Sequence, residues 1–165
     1  MQVRDFSFNE EMSHSVISQV CLAYLLQFST SESLDINVNV SSPLARYAAE
    51  NWIIHAHSSG KNKSQSSLVF VLMMKVLKDE NFAFLNWVRL YNIDNRCHDL
   101  GKLRVEIAKP LYYASLAGLA EASYALVEVG ADVNAQGGWC GNALQAASKG
   151  GHEAIVKLLV EKGQM

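Results

Sequence analysis

Apolar residues recur at helical spacing through most of this chain. Val16, Ile17, Val20, Leu22, Tyr24, Leu25 and Phe28 cover a broad face and predict a helix over 13–28. A polar loop, 29–42, follows. Ser42-Pro43 is a helix start signal, with Ser as N-cap and Pro at the first helical position, and the helix it opens runs to about 57. Residues 58–66 are Ser, Gly, Asn and Lys in mixture, the clearest loop in the chain. The stretch 67–78 is apolar nearly all round and predicts a central, buried helix. Asp79 is placed to cap a fourth helix, 80–91, carrying Phe82, Phe84, Leu85, Trp87, Val88 and Leu90. Residues 92–108 form a polar connector.

The last third repeats itself. Residues 109–130 align with 142–163 at a constant offset of 33, without a gap. Leu111 falls on Leu144, Ala114-Ser115 on Ala147-Ser148, Gly118 on Gly151, Val127-Glu128 on Val160-Glu161, and Gly130 on Gly163. In each unit a short helix runs to a Gly, at 118 or 151, that can adopt φ > 0 and end it without a Cβ penalty. A second helix follows, with Ala122, Ala125, Leu126 and Val129, or Ile155, Leu158 and Leu159, on one face. Between the units, 131–142 is rich in turn-formers and predicts a hairpin projecting sideways.

The 33-residue period, Gly130-Ala-Asp-Val-Asn-Ala135 and Gly151-His-Glu-Ala-Ile-Val-Lys-Leu-Leu159 resemble ankyrin repeats. The resemblance covers about 55 residues. The family's Thr-Pro-Leu-His opening stands here as Lys109-Pro110-Leu111-Tyr112 and as Asn142-Ala143-Leu144-Gln145, so the His that ties neighbouring turns is replaced. Upstream, Cys21-Leu-Ala-Tyr-Leu-Leu26, Pro43-Leu-Ala-Arg-Tyr-Ala-Ala-Glu-Asn-Trp52 with His55, and Phe84-Leu-Asn-Trp-Val-Arg-Leu-Tyr91 are similar to the helical segment before the ankyrin array of fungal NACHT-type signalling ATPases. These resemblances imply an all-α chain: a helical region, 1–108, then two ankyrin repeats, 109–141 and 142–165.

Composition narrows the functional classes. A net charge of −2 with scattered basic residues lacks the massed cations of a nucleic-acid binder. The longest apolar run, 68–74, is far short of the roughly 20 residues that span a bilayer. Three well-separated cysteines and no apolar leader suggest reduced thiols in the cytoplasm or nucleus.

Motifs for chemistry are weak. Gly60-Lys61 lacks the earlier Gly and the following Ser or Thr of a P-loop, with His55 and Asn62 at those positions. His55 and His57, two apart on a helix, point about 200° away from each other and cannot share a metal. Cys97-His98 and Cys21 leave a Cys/His hydrolase as the enzymatic alternative. His152 reads as a packing residue between the repeats. Trp52 and Trp87 read as core.

The expectation is therefore a non-catalytic protein-interaction scaffold, without cofactor or metal, belonging with NACHT-ankyrin signalling proteins. A further alternative is a truncated regulatory fragment pairing with a full-length relative. The partner is another protein, met by Trp139 and Gly138 on the hairpin finger and by Tyr113, Leu116 and Lys149 on the groove side of the repeats. The reading for Trp139 stays open between an exposed anchor and a ring folded back on its neighbour. The second repeat ends without a polar cap, so Ile155, Leu158 or Leu159 is expected to be exposed and to allow self-association. The upstream helices must cover Leu111, Ala114 and Ala122, because two repeats alone bury too little.

Overall fold

The computed structural model describes residues 9–30, 34, 41–59, 67–78, 81–96 and 98–163. Helix α1, Glu10–Leu25, starts earlier than expected because the Asn9 side chain accepts the Met12 N–H at 3.0 Å, and Glu10 and Glu11 fall in the positively polarised first turn. It buries Ser18, Cys21, Leu22 and Leu25 and continues as a 3-10 turn over Leu26–Phe28. Val16 and Val20, assigned from the sequence to the apolar face, remain exposed with Met12. Helix α2, Ala45–Ser58, starts two residues beyond Pro43. Ser42 does not cap it with its side chain; its carbonyl accepts the Ala45 N–H in a preceding turn.

α2 packs along α1 and buries Ala45, Ala48, Ala49 and Ala56, small side chains that let the backbones approach, together with the large Trp52. Helix α3, Leu68–Val76, is capped by Ser67 and buries Val69, Phe70, Met73 and Val76. Leu68 and Val71 are exposed, so this helix is buried on one side and not all round. Helix α4, Phe82–Leu90, is capped by Asn81, while Asp79 lies outside the described residues. It is buried along most of its length, and its buried amide, Asn86, donates to the Phe28 and Thr30 carbonyls at 2.9 and 3.3 Å.

The C-terminal third forms two helix pairs. The first is α5, Pro110–Leu116, with α6, Ala120–Glu128. The second is α7, Ala143–Gly150, with α8, Glu153–Gly163. α5 packs on α7, and α6 on α8. The 33-residue offset extends to the backbone. Leu119 N–H bonds to Ala114 O, and His152 N–H to Ala147 O, both at 2.9 Å. Gly118 and Gly151 take φ of 71° and 70°. Ile155, Leu158 and Leu159 are buried. The expected exposure of that face is thus corrected, because α8 turns these side chains onto α6 and α7. The chain is all-α among its described residues, and none of the described helices is long and apolar enough to cross a membrane.

The two halves share one core. Trp52 meets Trp87 edge-on at 5.3 Å, and the Tyr113 ring lies 5.9 Å from Trp87 and 5.7 Å from Phe84. Leu111, Ala114 and Ala122 are covered, as a two-pair stack requires. The two last carbonyls of α5 are satisfied from opposite directions. His57 Nε2–H donates to Ala117 O at 2.8 Å, and His152 Nε2–H to Leu116 O at 3.2 Å. His152 thereby joins the second helix pair to the first.

Two stability predictions follow from this seam. Tyr113→Ala removes a ring wedged between Phe84 and Trp87 and is expected to cost about 3 kcal/mol or more in urea unfolding. Ser115 Oγ is buried without a partner, whereas its counterpart Ser148 bonds to Leu144 O at 2.8 Å. Ser115→Ala therefore deletes a desolvated hydroxyl and should raise unfolding stability by about 1 kcal/mol in the same assay.

Candidate functional site

The polar connector, patternless in sequence, folds into a tight turn. Buried Asn92 accepts the Asp94 N–H on its side chain at 3.0 Å and the Arg96 N–H on its carbonyl at 2.7 Å. Arg96 closes the turn at φ 54°, a left-handed conformation costly for a residue with a Cβ. The turn presents Asp94. One carboxylate oxygen accepts the Tyr112 hydroxyl and the other the Trp139 N–H, both at 2.7 Å. The Tyr112 oxygen in turn accepts the Cys140 N–H at 3.1 Å. Burial, with the Asp94 bond adding to it, pushes the Tyr112 hydroxyl far above the usual tyrosine range, so it keeps its proton and donates. Tyr112 ties the hairpin to the turn that precedes the helix pairs.

The hairpin is built to fit that tyrosine. Gln136 pairs with Asn142 in an isolated antiparallel bridge, and Gly137 N–H bonds to Gly141 O at 2.7 Å. Gly138 has φ 71°, and a Cβ there would land on the Tyr112 ring. Trp139 is 81% exposed, which decides between its two readings: the ring does not fold back, although its backbone is clamped.

A groove of about 620 Å³ opens on the other side of Asp94. Its walls are Ile53 and Ile54 of α2, Ile93 and Arg96 of the turn, and the α5 and α7 ends with Leu116 and Lys149. Glu50 sits at its edge. The structure thus brings Leu116 and Lys149 together, and Asp94 links that groove to Gly138 and Trp139. Tyr113 is a correction. It is 1% exposed, because α5 turns it into the Trp87–Phe84 cluster, and no partner can reach it. Burial, then the Asp94 charge, pushes its hydroxyl above the ordinary range. Asp94, Tyr112 and Arg96 were not singled out as site residues by sequence.

Other candidates separate in space. His55 faces His14 and Tyr47, while His57 donates to Ala117 O, so the two do not converge. Cys21 is buried, and burial pushes its thiol up, away from nucleophilic character. Cys97 lies outside the described residues, as do Gly60 and Lys61. Among the described residues no three His, Cys, Asp or Glu side chains are grouped to hold a metal.

The clamp yields a paired prediction. Gly138→Ala must displace the Tyr112 ring as well as hold a strained φ, whereas Gly130, at φ 93°, has open space around it. Gly130→Ala should cost about 1 kcal/mol and Gly138→Ala about 2 kcal/mol or more, measured by urea unfolding.

No family model and no solved structure matches the chain. It is similar to a protein described as azaphilone pigments biosynthesis cluster protein L, of Monascus ruber. The identity is 33% over 175 aligned positions, covering 96% of this chain and 36% of the relative. The chain spans about a third of the length of the curated relative it matches. This finding overturns the function expected from the sequence, an ankyrin-surface interaction scaffold allied to NACHT signalling proteins. A biosynthesis-cluster protein is a different kind of protein, and a repeat fold does not fix function.

Proposed function

We propose that this chain serves azaphilone pigment biosynthesis as a helical unit that holds a small organic molecule in the groove beside Asp94 and does not itself make or break bonds. The observation that carries the reading is the 33% identity to the pigment-cluster protein, which extends over 96% of the chain and so takes in both helical halves. The groove supports it. About 620 Å³ lies within the range of roughly 300–1,000 Å³ typical of small-molecule sites. Its apolar lining, Ile53, Ile54, Ile93 and Leu116, suits a carbon skeleton, and Arg96, Lys149 and Glu50, which also line it, offer polar contacts. The buried Cys21 thiol gives the non-catalytic part of the reading its support.

The four C-terminal helices are read, within the same proposal, as two ankyrin-type repeats. The matching hydrogen bonds at Ala114 and Ala147, the left-handed Gly118 and Gly151, and the α5–α7 and α6–α8 packing favour that class. Free Cys21 and Cys140 fit a reducing compartment such as the cytoplasm.

The test is genetic and chemical. In the organism that carries the chain, deletion of its coding segment should lower or alter the extractable pigments seen by chromatography. Ile54→Glu, an exposed groove position whose change spares the core, should reproduce the effect at normal protein level. An unchanged pigment profile after deletion would refute the proposal.

A further inference from the structure

Two histidines from separate helices meet head-on. His14 of α1 and His55 of α2 bring their Nδ1 atoms to 2.7 Å, with ring centroids 5.0 Å apart and planes tilted by 34°. With about 1.2 Å from an imidazole centre to its nitrogen, two rings aimed along one line have centroids about 5 Å apart, the alignment that hydrogen bonds prefer. One Nδ1 must therefore carry a proton and the other a lone pair. The outer nitrogens face groups of their own helices. His14 Nε2 lies 3.8 Å from a Glu10 carboxylate oxygen, and His55 Nε2 lies 3.3 Å from the Tyr47 hydroxyl.

We propose that the His14–His55 pair is a proton-controlled latch that docks the first two turns of α1 onto α2 and releases them when both imidazoles are protonated. The packing of α1 makes the pair matter. Its buried side chains begin at Ser18, and Met12 and Val16 of the first two turns are exposed. Ile17, partly buried against the core, and the histidine pair are therefore what hold that end in place. With no added proton the line N–H···N holds the helices together. With one added proton the bond becomes charge-assisted and still holds. With two, N–H faces N–H and two positive charges lie in contact, so the latch opens.

The surroundings leave the control to this pair. α1 contributes Glu10 and Glu11 near its start, and α2 contributes Arg46, Tyr47 and Glu50. Among the other helices packed on α1, α3 carries Lys75, which is exposed, and α4 carries Arg89, which donates to Lys102 O and Asn86 Oδ1. Among the described residues only Glu10 and Tyr47 come within bonding reach of the two rings. Burial, then the charge of His14, holds His55 below the ordinary 6.5. Its contribution to stability is thus complete above about pH 6.5 and is lost as pH falls through the lowered value. A metal fits this geometry poorly. Two nitrogens each about 2.0–2.1 Å from one tetrahedral metal ion lie about 3.4 Å apart, whereas these two Nδ1 atoms are 2.7 Å apart.

Amide hydrogen exchange on the full chain tests the latch, after correction for intrinsic rates. Between pH 7 and pH 5, residues 10–17 should lose protection severalfold, while residues 18–25 keep theirs. His14→Gln and His55→Gln should each abolish that step. Should either variant fail to fold, titration of the two ring C–H signals of the natural protein by NMR should give coupled curves. Independent titration of the rings, an unchanged step in the variants, or no step in the natural protein would overturn the latch. Protection of residues 10–17 by added Zn²⁺ at pH 7, lost in both variants, would also overturn it in favour of a metal site.

Discussion

Tyr113 and the short helix that carries it are shared by two bodies of helices, and this sharing supports the rest of the molecule. Seven residues are too few to hold a helix in water on local hydrogen bonds alone. α5 persists because every side of it is engaged. Its Tyr113 ring completes the aromatic cluster of Trp52, Phe84 and Trp87. Its final carbonyls are met by His57 from the upstream helices and by His152 from the second helix pair. Tyr112 reaches the other way, to Asp94 and the hairpin. Removing any one partner leaves a polar or aromatic group facing an incomplete neighbour.

The groove is a consequence of that seam. Its walls come from α2, the turn after α4, and the ends of α5 and α7, so it exists only when the two halves are docked. Asp94 stands at its edge with both oxygens committed to donors, which fixes the turn and leaves Arg96 in a conformation that the surrounding bonds must stabilise. The hairpin behind it is rigid for the same reason, although the Trp139 ring itself is open to solvent.

The repeat pattern and the similarity to a pigment-cluster protein concern different levels. The first describes how apolar faces are stacked, and many unrelated roles use such stacks. The second concerns the biological setting of a relative and extends over nearly all of this chain. Reading a partner protein out of the repeat pattern was therefore a step from fold to function that residue spacing does not license.

Local chemistry was legible in the sequence. The offset of 33 marked the two helix pairs, and Gly118 and Gly151 were identifiable as helix ends because only a residue without Cβ takes φ near 70° cheaply. Helix positions followed from apolar periodicity, while boundaries moved where a cap was hidden: Asn9 and Asn81 start α1 and α4. Tertiary structure alone decided which way a given side chain turned. Tyr113 was expected at a surface and became core, Ile155, Leu158 or Leu159 was expected outside and all three lie within, and Asp94, in a stretch without pattern, became the junction of turn, tyrosine and hairpin. Periodicity along a chain fixes which residues share a face, but contacts such as His14 with His55, 41 positions apart, depend on how whole helices dock. That is set by the summed packing of the core and by no local signal.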